Sequence, residues 1–132
     1  MMIEGGCRCG AVRYAVDGEV LHHALCHCGD CQKNSGAPMV AWIAFKSADF
    51  HVTKGEAVVY NGNGASFRHF CGKCGTPVFF VNEETLPGIV DVHSVTLDDP
   101  DAFAPQAHIQ TAERRAWMDG VDELPKFERY PG

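Results

Sequence analysis

The chain has 132 residues, of which 45% are hydrophobic and 21% charged, with a formal net charge of −6 and a pI near 5.5. This length and composition predict a single globular domain over residues 1–132 with a sizeable core, and exclude a disordered chain. The acidic balance, with no Lys/Arg run to offset it, argues against binding to nucleic acid or to an anionic membrane surface.

The first residues, Met1-Met2-Ile3-Glu4-Gly5-Gly6-Cys7, carry neither a basic nor an apolar region of the secretory type. No apolar run approaches the roughly eighteen residues of a membrane span. The expected compartment is the cytoplasm, where thiols stay reduced.

In chain order the pattern is mostly strand. Residues 11–16 alternate, with Val12, Tyr14 and Val16 on one face. Asp17-Gly18 is a hairpin signal and predicts residues 20–25 as the returning strand. A short helical turn is expected near 30–34. Residues 39–45 form an apolar, partly β-branched run that reads as a buried strand. Strands at 50–53 and 57–60 flank a turn at Lys54-Gly55, and Asn61-Gly62-Asn63-Gly64 reads as a loop. Residues 66–70 and 76–81 make a hairpin with Cys71-Gly72-Lys73-Cys74-Gly75 at its tip. Further strands are expected at 88–95 and 107–111, a turn at 98–103 with Asp99-Pro100 at its start, and an extended tail at 124–131 packed on the body. The sum is a mainly-β fold with little helix.

Seven cysteines, at positions 7, 9, 26, 28, 31, 71 and 74, dominate the chemistry. An odd number cannot pair fully within one chain, and close spacing in a reduced compartment points to metal. Cys71 and Cys74 on a tight glycine turn supply half of a tetrahedral zinc site. A structural zinc takes four protein ligands, and Cys7, Cys9, Cys71 and Cys74 provide four. Cys26, Cys28 and Cys31 then provide three, which leaves one position exchangeable and marks a reactive zinc. The other partition joins Cys26 and Cys31 to Cys71 and Cys74. It leaves Cys7, Cys9 and Cys28 unexplained and ranks lower.

A histidine could close the trio instead. If Cys26 and Cys28 lie on an extended segment, however, His27 points to the opposite face and becomes a supporting or buried, hydrogen-bonded group. His69, just before the zinc knuckle, is a weaker candidate. His22, His23, His51, His93 and His108 carry no spacing signal.

Gly5-Gly6-Cys7-x-Cys9-Gly10, Cys26-His27-Cys28-x-x-Cys31, Ser35-Gly36 and Phe70-Cys71-x-x-Cys74-Gly75 together resemble the glutathione-dependent formaldehyde-activating enzymes, a family that includes proteins like centromere protein V. The resemblance runs from about Gly5 to Val81, with a weaker echo in His93, Trp117 and Leu124-Pro125-x-Phe127. It implies a β-tent fold, twisted β-sheets pinned by a structural zinc. It implies the same partition of the cysteines, with two zinc ions per chain. The implied activity is a carbon–sulfur lyase reaction, formation of S-(hydroxymethyl)glutathione from glutathione and formaldehyde. The sequence departs from the family where an Arg commonly follows the third cysteine of the central cluster. Gln32 stands there, followed by Lys33, so a bidentate carboxylate anchor is lost and Lys33 offers only a point charge.

Zinc with three thiolates keeps one net negative charge, and its soft ligands blunt its Lewis acidity. Such a centre suits an incoming thiol, bound as thiolate and held for attack on a small carbonyl carbon. Charge compensation is expected from amides around Gly29 and Gly36 and from Lys33. Lys33, Ser35 and Gly36 are the candidate thiol-binding residues, and Cys26, Cys28 and Cys31 the catalytic ones. Trp42 and Phe45 could line the pocket, although core packing is the stronger reading for both. Two other functions fit the same residues: a carrier that binds glutathione without turnover, and a zinc-stabilised interaction domain.

Overall fold

The computed structural model describes residues 2–132. Among the described residues the chain is mainly β, with ten strands in two sheets and one α-helix. The smaller sheet holds β1 (Met2–Gly6), β2 (Arg13–Asp17) and β5 (Phe50–Lys54) in the antiparallel order β1-β2-β5. The larger holds β3 (His22–Cys26), β4 (Val40–Lys46), β6 (Val58–Asn63), β7 (Ser66–Phe70), β8 (Pro77–Val81), β9 (Ile89–His93) and β10 (Ala107–Ile109), in the order β10-β3-β4-β9-β8-β7-β6. Its pairs are antiparallel except β10 on β3, which is parallel. No helix among the described residues is long and apolar enough to cross a membrane.

Alternation along the strands sorts the side chains into two layers. Ile3, Val12, Tyr14 and Val16 from the small-sheet side meet Ile43, Phe45, Val78, Val90 and Val92 from the large sheet in one core. The expected face of Val12, Tyr14 and Val16 is therefore the buried one. The interior strand β4 is covered on both sides: Ile43 and Phe45 enter this core, while Val40 and Trp42 pack with Cys26 and Cys31 in a second, smaller cluster. A strand covered on both faces needs a continuous apolar run, which explains the composition of residues 39–45. Phe45 is a core residue.

Three expectations need correction. Strands β2 and β3 are not a hairpin, since β2 pairs with β1 and β5 while β3 crosses to the larger sheet. The cause is the link after Asp17: Val20 packs against the main core and draws the chain across, where a hairpin requires a tight turn. The turn at Lys54-Gly55 likewise carries the chain from one sheet to the other. There Gly55 has φ +72°, and a Cβ would strike the Ala11 carbonyl, so glycine is required.

Residues 61–63 belong to β6 and only 64–65 turn. Asn61 Nδ2 closes that turn by donating to the Gly64 and Ser66 carbonyls. The tail at 124–131 is extended but not packed: Leu124, Phe127 and Tyr130 are exposed. A 3₁₀ segment, Ala116–Glu123, precedes it.

Candidate metal centres and the adjoining cavity

The structure brings Cys7, Cys9, Cys71 and Cys74 together, with every sulfur within 4.8 Å of the others. Two similar knuckles achieve this. In the first, Gly10 takes φ +81° and its N–H donates to the Cys7 carbonyl (3.2 Å). In the second, Gly75 takes φ +79° and donates to the Cys71 carbonyl (2.8 Å). Backbone amides turn onto sulfur, Val12 N–H to Cys7 Sγ at 3.2 Å and Lys73 N–H to Cys71 Sγ at 3.4 Å. Thr76 joins the knuckles, since its hydroxyl accepts from Arg8 N–H and lies 3.1 Å from Cys74 Sγ. The Thr76 hydroxyl and amide hold the Cys74 thiol down at about 5.

The first knuckle follows β1 in the small sheet, and the second joins β7 to β8 in the large one. This cluster therefore ties the two sheets together, through residues 62 positions apart in the case of Cys9 and Cys71.

The donor set fits zinc. A tetrahedral ion with zinc–sulfur bonds near 2.3 Å sets neighbouring sulfurs about 3.8 Å apart. Cys7–Cys9 and Cys9–Cys71 stand at 3.7 and 3.8 Å. A disulfide needs about 2.05 Å, and all seven cysteines are free.

Cys26, Cys28 and Cys31 form the second cluster, again within 4.8 Å, with Cys26 and Cys31 sulfurs 3.8 Å apart. No fourth His, Cys, Asp or Glu among the described residues joins them. Cys26 ends β3. Cys28 is the N-cap of helix α1 (Gly29–Ser35), where its sulfur accepts from Cys31 N–H at 3.3 Å. Cys31 is buried in the first turn of α1, and Gly36 ends the helix in the left-handed region at φ +67°. Helix start and thiol cluster are thus one structure. Hydrogen bonding to Cys26 and Cys28, the Trp42 indole and the nearby Arg68 charge hold Cys31 down at about 5, while the same Cys31 contact and burial push Cys26 up.

Gln32 and the histidine between the first two cysteines support the cluster from outside. His27 is 2% exposed and bonds His108 Nδ1 through Nε2 at 2.9 Å, so it is a buried, hydrogen-bonded histidine on the far face. Gln32 donates to the carbonyls of His27 (2.6 Å) and Glu113 (3.1 Å). The expected charge-compensating amides are engaged elsewhere, Gly29 N–H with Glu113 Oε1 and Gly36 N–H with the Gln32 carbonyl. Lys33 is exposed and borders a separate cavity with Gly36, Arg115 and Trp117.

Beside the trio lies a cavity of about 320 Å³. Asn34 and Ser35 of α1, Trp42, Tyr60, Arg68, His69, Phe79 and His93 line it together with Phe70, Gly75 and Pro77 around the second knuckle; the trio's cysteines do not, and Trp42 links them to it. Ser35 borders it with its hydroxyl donating to the Cys31 carbonyl (2.6 Å). Trp42 touches both trio and cavity, and its ring lies 4.1 Å from His93. Burial, then the Arg68 charge, lowers His93 to about 4 and leaves it neutral near pH 7. His69 stacks on Phe79 at 4.0 Å. Arg68, His93, Tyr60 and Asn34 were not singled out by spacing. The available signal was Arg68 itself, a charge in the middle of the aromatic run Phe67-Arg68-His69-Phe70.

Two twisted sheets, little helix, and thiol clusters of four and three define a cysteine-rich mainly-β protein built around metal-type sites. The profile of the family described as "Glutathione-dependent formaldehyde-activating enzyme" matches residues 2–113, and the chain belongs to that family. A protein of Halomonas elongata named "Putative glutathione-dependent formaldehyde-activating enzyme" is 27% identical over 131 residues, covering 90% of this chain and 81% of its own length. A crystal structure of a Rhodobacter sphaeroides protein shares the fold, with a TM-score of 0.64 at 20% identity, over 80% of this chain and 98% of that one.

Proposed function

We propose that the chain is a zinc-dependent carbon–sulfur lyase that joins a glutathione-type thiol to a small aldehyde such as formaldehyde, reversibly, as an S-(hydroxymethyl)glutathione synthase. The observation that carries this reading is the trio of Cys26, Cys28 and Cys31, gathered without a fourth ligand beside a cavity. Cys7, Cys9, Cys71 and Cys74 hold a structural zinc, and the trio holds the second. When bound there, zinc supplies acidification of an incoming thiol and a fixed position for its sulfur.

The protein's own residues set the rest. The Cys31 amide and the Trp42 indole direct N–H groups at the trio's sulfurs and offset its negative charge. Trp42 and Phe80 pack against the cluster and keep water from its inner side. In the reaction the thiol S–H bond breaks, the sulfur pair forms the S–C bond to the carbonyl carbon, and the carbonyl oxygen gains a proton. No oxidant or reductant is needed. The thiol proton leaves to solvent and the oxygen takes one from solvent, while His93, too weak a base to hold a proton near pH 7, borders the cavity as a neutral hydrogen-bonding group. Ser35 is fixed by the Cys31 carbonyl and positions the helix end over the cavity rather than acting as a nucleophile.

The test is NMR of glutathione and formaldehyde exchange with the zinc-loaded protein. Adduct formation and breakdown faster than in the protein-free control, and lost in Cys28→Ser, support the lyase. Binding of glutathione with exchange no faster than the control supports the carrier instead.

A further inference from the structure

The sequence lacks an arginine after Cys31, and position 32 faces the His27 and Glu113 carbonyls, but another strand places a guanidinium in the cavity next to the trio. Arg68 lies at the centre of β7, opposite Tyr60 on β6 and Phe80 on β8. Cross-strand partners project from the same face, so all three side chains line the outer face of the large sheet, the face that carries the trio. The guanidinium sits 4.9 Å over the Phe80 ring, and Phe80 packs against the cysteine cluster. It is half-buried and borders the cavity beside the trio.

Among the described residues no carboxylate pairs with it, while Arg13 and Arg114 have Asp98 and Asp119. A second cavity of about 320 Å³ shares Arg68, Asn34 and Tyr60 with the first, so the two form one groove with Arg68 at its middle; Asp30 lines its outer part without forming an ion pair with Arg68. A partly desolvated guanidinium without an acid partner, in a groove beside a thiol-accepting centre, is complementary to an anion carried by the thiol.

We propose that Arg68 is the carboxylate subsite of the centre and selects acidic thiols, with the carboxylate on its guanidinium and the sulfur on the Cys26, Cys28 and Cys31 side. This rests on the thiol reading of the trio. It assigns a specificity role to Arg68 that Gln32 and Lys33 cannot fill, because Gln32 braces the His27 and Glu113 carbonyls and Lys33 borders another cavity.

The test uses the zinc-loaded full chain and matched thiols of similar reach, 3-mercaptopropionate with a carboxylate and 2-mercaptoethanol without one. Arg68→Met weakens glutathione and 3-mercaptopropionate binding about tenfold to a hundredfold and leaves 2-mercaptoethanol within about twofold. Arg68→Lys recovers part of the loss, and Lys54→Met, an exposed charge on the small sheet, changes neither. Equal weakening of both thiols, or no weakening of either, overturns the proposal. S-methylglutathione, which has carboxylates but no free thiol, separates this subsite from the zinc chemistry. Its binding to the wild type and loss in Arg68→Met support the subsite even if no thiol reaches the metal. Failure of S-methylglutathione to bind the wild type overturns it, even if turnover is observed.

Discussion

The two cysteine clusters use the same ligand, but one is built on two glycine knuckles and the other on the start of a helix, and they sit in opposite surroundings. The four-thiol cluster lies at the edge of the main core, ties β1 to the β7–β8 hairpin, and is saturated by its own side chains. The three-thiol cluster lies on the other face of the large sheet, is wrapped around the start of one short helix, and packs on Trp42, which lines a cavity. On the function proposed above, one extra thiol makes the first cluster a clasp, and its absence from the second leaves a position for chemistry. The difference is therefore local in count but global in consequence, because only the clasp joins segments that are distant in the chain.

The largest effect should come from breaking the clasp. Cys71→Ser removes one of four ligands and with it the proposed zinc, whose apparent binding is on the order of 10–16 kcal/mol, comparable to the whole stability of a typical domain. Circular dichroism and metal content should show an unfolded, largely zinc-free chain. A folded Cys71→Ser variant with one zinc would mean that the two sheets hold together without the clasp. The corresponding change in the trio, Cys28→Ser, should leave a cooperative thermal transition and one zinc per chain, and reduce turnover by about a hundredfold or more.

A smaller effect separates the open region by pH. Burial depresses His93 to about 4 in the fold, against an ordinary 6.5, so the folded state prefers the neutral ring. The stability this supplies is complete above pH 6.5 and is lost as pH falls through that value toward 4, because the unfolded chain then binds the extra proton. Between pH 6.5 and 5 the loss is on the order of 2 kcal/mol. The difference in denaturation free energy between wild type and His93→Gln, followed across that range, should carry this slope. Parallel curves for the two proteins would show that His93 does not titrate differently on folding.

The smallest effect lies on the closed side. Arg13 and Asp98 make a bidentate pair at 2.8 and 2.5 Å, linking β2 to the segment after β9, but both side chains are partly exposed. Solvent screening limits such a pair, and Arg13→Met should cost about 0.5–1 kcal/mol by urea denaturation, less at high salt. A cost several times larger would place this pair beside the thiol clasp as a second pin between the sheets.

The strands were legible because their side chains alternate, and the knuckles because Cys-x-Cys-Gly and Cys-x-x-Cys-Gly need glycine at a left-handed position. Which strand pairs with which was not, since Asp17-Gly18 looks the same whether the chain returns or crosses. Packing of the half-buried Val20 against the main core decides it, and that is a tertiary fact. The thiols of the site could be read from spacing because ligands near one another in sequence must converge. Arg68 could not, because it reaches the trio through sheet register across β7 and β8, without any local spacing to mark it. Lys33 misled for the complementary reason: it is adjacent in sequence to Cys31 and Gln32 but stands on the outer side of the helix.

The central claim is that one metal position is closed and the other open to a thiol. Cobalt replacing zinc reports this directly, through its visible absorption. Two cobalt ions per chain are expected, and glutathione should alter the bands of one of them only, with no response in Cys28→Ser. A single bound ion, or two whose spectra ignore glutathione, would contradict the account.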